Sequence, residues 1–67
     1  MRYTVEYKMY GADDVNRAEI TAQSKAEAYD KVVYEHLDQM PYSAWVASVT
    51  YKNGKVKRFN TYEGKRY

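Results

Sequence analysis

The stretch from Ser24 to Pro41 constrains this chain most, because it reads as one amphipathic helix set between runs of a different period. Ser24 stands three residues before Glu27, the capping-box spacing in which the serine oxygen accepts from the glutamate N–H and the glutamate reaches back. Ala26, Tyr29, Val32, Val33, Leu37 and Met40 then fall on one stripe at helical spacing, with Lys25, Asp30, Lys31, Glu35 and Asp38 away from it. Pro41 disfavours helical geometry at Met40, so the predicted helix covers residues 25–40.

On both sides of the helix the period is two. Tyr3, Val5, Tyr7 and Met9 alternate with Thr4, Glu6, Lys8 and Tyr10, and Ala18, Ile20 and Ala22 alternate with Arg17, Glu19, Thr21 and Gln23. Gly11, Asp13, Asp14 and Asn16 between them read as a turn, which makes the pair an antiparallel hairpin. Beyond the helix, Asn53-Gly54 separates two further strand-like runs and predicts a type I′ hairpin turn with positive φ at both central residues. That register sets Tyr51 opposite Val56, Val49 opposite Arg58, Ala47 opposite Asn60 and Trp45 opposite Tyr62 on one face. On the other face Thr50 meets Lys57, Ser48 meets Phe59 and Val46 meets Thr61. Neither face is cleanly apolar, and a bulge in the fourth strand would reconcile them.

The expected fold class is therefore α+β. It is a single two-layer domain, 1–67, of order β-β-α-β-β, with a four-stranded antiparallel sheet and one helix on one face. The expected strands run over about 2–10, 17–23, 43–52 and 55–62, with a short tail at 63–67. Sixty-seven residues leave room for one thin core.

Catalytic chemistry has little to draw on. The chain has no cysteine, which excludes a disulfide framework, a thiolate metal site and a cysteine nucleophile. His36, the one histidine, falls within the helical stripe, where a ring nitrogen bonded to a carbonyl or water is the ordinary role. Asp13-Asp14 sits in a turn, Glu35, His36 and Asp38 point in different directions on a helix, and the three glycines form no phosphate-cradling loop. A non-enzymatic protein without cofactor or metal is expected. No apolar run approaches the ~20 residues of a membrane span, and the first residues do not read as a secretory signal, so a cytoplasmic location is expected.

Charge is uneven along the chain. Residues 1–51 hold five basic side chains against eight acidic ones, whereas 52–67 hold six basic side chains against Glu63 alone. Such a segment serves an acidic protein surface or nucleic acid, or keeps a sheet edge soluble. Nine tyrosines are the other unusual feature. Tyr3, Tyr7, Tyr29 and Tyr51 suit the core or its edge; Tyr10, Tyr34, Tyr42, Tyr62 and Tyr67 are harder to bury together. An aromatic sheet face left open by the helix is then a candidate anchor for a partner.

Pro41-Tyr42-Ser43-Ala44-Trp45-Val46, Ser48-Val49-Thr50-Tyr51, Asn53-Gly54-Lys55, Arg58-Phe59-Asn60-Thr61 and Gly64-Lys65, with Ser24-Lys25-Ala26-Glu27-Ala28-Tyr29 before them, resemble the short accessory proteins that bacteriophages and prophages encode. The resemblance covers about residues 20–66. It implies a small protein of the bacterial host cytoplasm that binds and modulates or inhibits host machinery, anti-CRISPR proteins included. The net charge of +2 departs from inhibitors that mimic DNA with an acidic surface. The first functional expectation is a protein-binding module contacting its partner through Tyr42, Trp45, Lys55, Lys57, Arg58, Tyr62, Lys65 and Arg66, most simply a host protein. The alternative is a nucleic-acid-binding protein in which Lys55, Lys57, Arg58, Lys65 and Arg66 meet phosphates and Tyr or Trp stacks on bases. A homodimer through the open sheet face or an edge is a further option.

Overall fold

A computed structural model describes residues 1–59 of the chain. Two strands, β1 (Arg2–Lys8) and β2 (Asn16–Thr21), precede the helix α1 (Lys25–Asp30), which continues without a break as a π-helical segment, Lys31–His36. Two more strands, β3 (Ser43–Thr50) and β4 (Val56–Arg58), follow. All pairings are antiparallel and the sheet order is β2-β1-β3-β4, so the expected α+β class and element order hold. Each of the first three strands ends earlier than its alternation suggested. Past Lys8 the chain turns at once, with Ala12 N–H bonded to the Met9 carbonyl at 3.2 Å around Gly11 at φ +77°. The expected continuation of β4 over 60–62 and the tail 63–67 lie outside the described residues.

The helix packs on one face of the sheet. Tyr3 and Val5 of β1, Ala44, Val46 and Val49 of β3, and Ala28, Tyr29, Val32 and Val33 of the helix form the core with Ala22. The N-terminus is capped as expected: Glu27 N–H donates to Ser24 Oγ at 3.1 Å, and Glu27 Oε1 accepts from the Gln23 N–H at 2.6 Å. The C-terminal half departs from expectation. From Lys31 the bonding widens to i→i+5, and Leu37 N–H reaches the Val32 carbonyl at 3.1 Å. The slot one turn after Val32 is thereby given to Leu37, which packs against the core, while His36 turns to solvent. His36 is thus not the packing residue that a regular 3.6 spacing predicts. Ala26 and Met40 are exposed as well, and the helix stops at His36 because Leu37 is already extended. Pro41 lies buried in the link to β3 rather than at the helix end.

The bulge lies in β3, not in the fourth strand. Thr4 pairs with Ser48 and Val5 with Val46, so β3 carries one extra residue against β1. A regular strand sends residues three apart to opposite faces; the bulge lets Val46 and Val49 both face the helix. The β3–β4 register is likewise shifted by one residue. Ser48 pairs with Arg58, Val49 with Lys57 and Thr50 with Val56. Gly54 N–H bonds the Tyr51 carbonyl at 2.9 Å and Tyr51 N–H the Lys55 carbonyl at 2.8 Å. Gly54 alone takes a left-handed φ, +88°, and Asn53 does not. This is the three-residue loop that ends in a left-handed glycine and a bulge, instead of the predicted two-residue type I′ turn. The expected pairs of Tyr51 with Val56, Val49 with Arg58, Thr50 with Lys57 and Ser48 with Phe59 are therefore each displaced. Those of Ala47 with Asn60, Val46 with Thr61 and Trp45 with Tyr62 involve residues outside the described ones.

Candidate functional site

The residues singled out from sequence separate into three places. The first is the face of the sheet turned away from the helix, where one row crosses three strands. Arg17 of β2 pairs with Glu6 of β1, and Glu6 pairs with Trp45 of β3. Glu6 Oε1 accepts from the Trp45 indole N–H at 2.9 Å, and Glu6 Oε2 accepts from Arg17 at 2.9 and 3.1 Å. Trp45 is only 5% exposed, so its ring does not offer the contact surface expected of it. A shallow groove beside this row is lined by Thr4, Glu19, Ser48, Thr50, Val56 and Arg58. These are polar and charged side chains for the most part, which corrects the expectation of an aromatic face. Tyr3 and Tyr29 face the core as expected, and Tyr7 packs against it half-buried. Tyr51, expected at the core edge, is exposed in the β3–β4 loop.

The second place is the β3–β4 hairpin. Lys52, Lys55, Lys57 and Arg58 are all exposed on it. Lys57 and Arg58 lie on opposite faces, because successive side chains of a strand alternate. Lys57 shares the helix side with Phe59, whose ring packs against the core and carries the Lys25 Nζ at 4.3 Å from its centroid and the Lys57 Nζ at 6.0 Å. Tyr62, Lys65 and Arg66 lie outside the described residues.

The third place was only partly legible in the sequence. Tyr42 is 63% exposed, as a contact residue needs to be, and its ring meets that of Tyr10 edge to face at 5.4 Å. Tyr10 is 73% exposed. The two tyrosines come together because the β1–β2 loop and the link into β3 leave the same end of the sheet, where Tyr42 N–H bonds the Lys8 carbonyl at 2.7 Å. Met9, Gly11, Ala12 and Asp13 form a groove against Tyr42, and Val15 and Met40 of the same two loops are exposed. The signal for Tyr10 was its place next to Gly11: a large ring at a turn has no core to enter.

Among the described residues, no three His, Cys, Asp or Glu side chains converge as metal ligands, and no helix is long and apolar enough to cross a membrane. Fold and surface together define a small α+β domain with a capped sheet face, a basic hairpin and an exposed tyrosine pair. Compared with known proteins, the chain matches no family model, no curated protein and no solved structure.

Proposed function

We propose that this chain is a non-enzymatic protein-binding module that anchors its partner on the Tyr10–Tyr42 end of the sheet. The observation that carries the reading is the exposed edge-to-face pair itself, at 73% and 63% exposure, on two loops that also expose Met40 and Val15. Tyrosine offers large, rigid, amphipathic contact area at small entropic cost, which is why it concentrates in interfaces. Lys55 and Lys57 lie on the β3–β4 hairpin, toward the opposite end of the sheet, so their charge would meet only a partner that spans the sheet. The resemblance to phage-encoded accessory proteins makes that partner a bacterial host protein met in the cytoplasm, whose activity binding would modulate or inhibit. The test is capture from bacterial lysate with and without nuclease. Tyr10→Ser with Tyr42→Ser should lose the captured protein while keeping the parent's melting curve; undiminished capture by the folded double variant overturns the reading.

A second reading is favoured by the four exposed cations Lys52, Lys55, Lys57 and Arg58 on one hairpin. It is nucleic-acid binding through phosphate contacts. Stacking would fall to residues other than Trp45, which is buried, and Phe59, whose ring already carries Lys25. Nuclease-sensitive capture with steep salt dependence, about 0.7–0.9 decades of affinity per phosphate contact for each decade of salt, would select it.

A further inference from the structure

Among the described residues, strand β2 lies at the edge of the sheet and pairs with β1 alone. Ala22 N–H donates to the Met1 carbonyl at 2.9 Å, and the Met1 ammonium donates back to the Ala22 carbonyl at 3.2 Å. Pairs of this kind recur at every second residue of an antiparallel ladder. Ile20, Ala18 and Asn16 therefore face β1 with their backbone groups, and Arg17, Glu19 and Thr21 turn theirs outward. The outward carbonyl of Thr21 already accepts from Lys31 Nζ at 3.2 Å. Arg17 and Glu19 are thus the outward-facing residues of β2 whose carbonyls no described side chain takes, and their exposed side chains carry opposite charges.

We propose that β2 is a homodimerisation edge, on which two copies pair antiparallel about Ala18. Arg17 then stands opposite Glu19 of the partner subunit, and Glu19 opposite Arg17 of the partner subunit. Each pair exchanges both backbone hydrogen bonds, and opposite charges directly across strands are favourable. Arg17 already binds Glu6, and Glu19 binds Arg2 at 2.9 Å, so the signs alternate along the row from Glu6 through Arg17 to the partner's Glu19 and the partner's Arg2. On the helix side the closest approach falls on Ala18 against the partner's Ala18, where methyl groups leave room. The neighbouring register, centred on Glu19, sets like charges together and needs the Thr21 carbonyl that Lys31 occupies. Pairing β4 with its copy would bring the cations of Lys57 and Arg58 together. Charge complementarity and backbone supply point to one edge and one register.

An edge contact of this size belongs to the weak class, below about 1,200 Å² of buried surface, so the mass is measured by sedimentation equilibrium up to about 1 mM. The parent should approach twice the monomer mass. Arg17→Glu alone and Glu19→Arg alone should each stay monomeric, since each sets like charges across the axis. Mixed in equal amounts they should form a heterodimer, because both cross-strand pairs become opposite again. A parent that stays monomeric overturns the proposal, as does a dimer that survives either single change or a mixture that fails to associate. Should a variant not fold, the parent alone decides: amide exchange at Arg17 and Glu19 must slow with rising concentration while that at Arg58, whose N–H points outward from β4, does not, and equal rates at all concentrations sink the idea.

Discussion

Glu6 holds the indole of Trp45 from the neighbouring strand, Oε1 accepting the Nε1–H at 2.9 Å while Oε2 is bound by Arg17 from the other side. A buried indole N–H needs an acceptor, and a carboxylate that also meets a guanidinium is held in place to serve. The row ties three strands together on the face opposite the helix.

Replacing Glu6 with Ala should therefore cost about 1–3 kcal/mol, the usual loss when a buried donor is left unmade. Glu6→Gln should cost less, since its amide oxygen still accepts from the indole. Chemical denaturation measures both, and Trp45, the chain's one tryptophan, reports the change by its own fluorescence. Equal stability of all three proteins would mean that the bond contributes nothing.

The β3–β4 loop separates two demands. Gly54 has φ +88° and open space where a Cβ would stand, so Gly54→Ala should cost about 1–2 kcal/mol through backbone strain alone. Asn53 is not left-handed; its Oδ1 accepts the Lys55 N–H at 3.0 Å. Asn53→Ala should lose about 0.5–1.5 kcal/mol at most, the worth of one hydrogen bond, discounted further for exposure. A type I′ turn would instead penalise both substitutions through φ. Paired melting curves distinguish the two turns.

The helix offers a comparable pair. Leu37→Ala should destabilise, because Leu37 packs on the core, whereas His36→Ala should fall within about ±0.5 kcal/mol as an exposed substitution. Thermal melts of the two variants suffice, and the reverse order would restore His36 to the stripe.

These contrasts show what was legible. Alternation, the Ser24–Glu27 cap and the Asn53-Gly54 pair announced the elements and their order because each depends on residues close in the chain. What escaped depends on packing between elements. The helix widens after Lys31 so that Leu37 rather than His36 meets the sheet, and the β3 bulge turns both Val46 and Val49 to the helix. Asn-Gly serves two hairpin loops, and choosing the longer one moved each described pair of the last hairpin by one residue. The same shift decides the site: it moves Lys57 and Phe59 together to the helix side and Arg58 to the opposite face. Tyr42 was identifiable as a ring left outside the core, but its neighbour Tyr10 is distant in sequence and joins it only because two loops leave the same end of the sheet.

Lys25 and Phe59 supply the last test. A lysine in the first turn of a helix opposes the macrodipole, whose positive end lies there. The Lys25 Nζ nonetheless sits 4.3 Å from the Phe59 ring centroid, linking the helix start to the residue after β4. A cation over an aromatic face is worth about 0.5–1 kcal/mol at an exposed site, comparable to the dipole cost. Lys25→Met keeps the apolar stem over the ring and removes the cation–π and dipole effects, which oppose each other. Phe59→Ala removes the ring's packing on the core and takes the aromatic face away from Lys25. It should lower stability by about 2 kcal/mol for a half-buried aromatic, less than the 3–5 of a full core site. In the Phe59→Ala background, Lys25→Met should become more favourable by about 0.5–1 kcal/mol, the worth of the lost cation–π contact. A double-mutant cycle from denaturation curves reads this shift, and an unchanged effect of Lys25→Met in the two backgrounds would show that the lysine and the ring are not coupled.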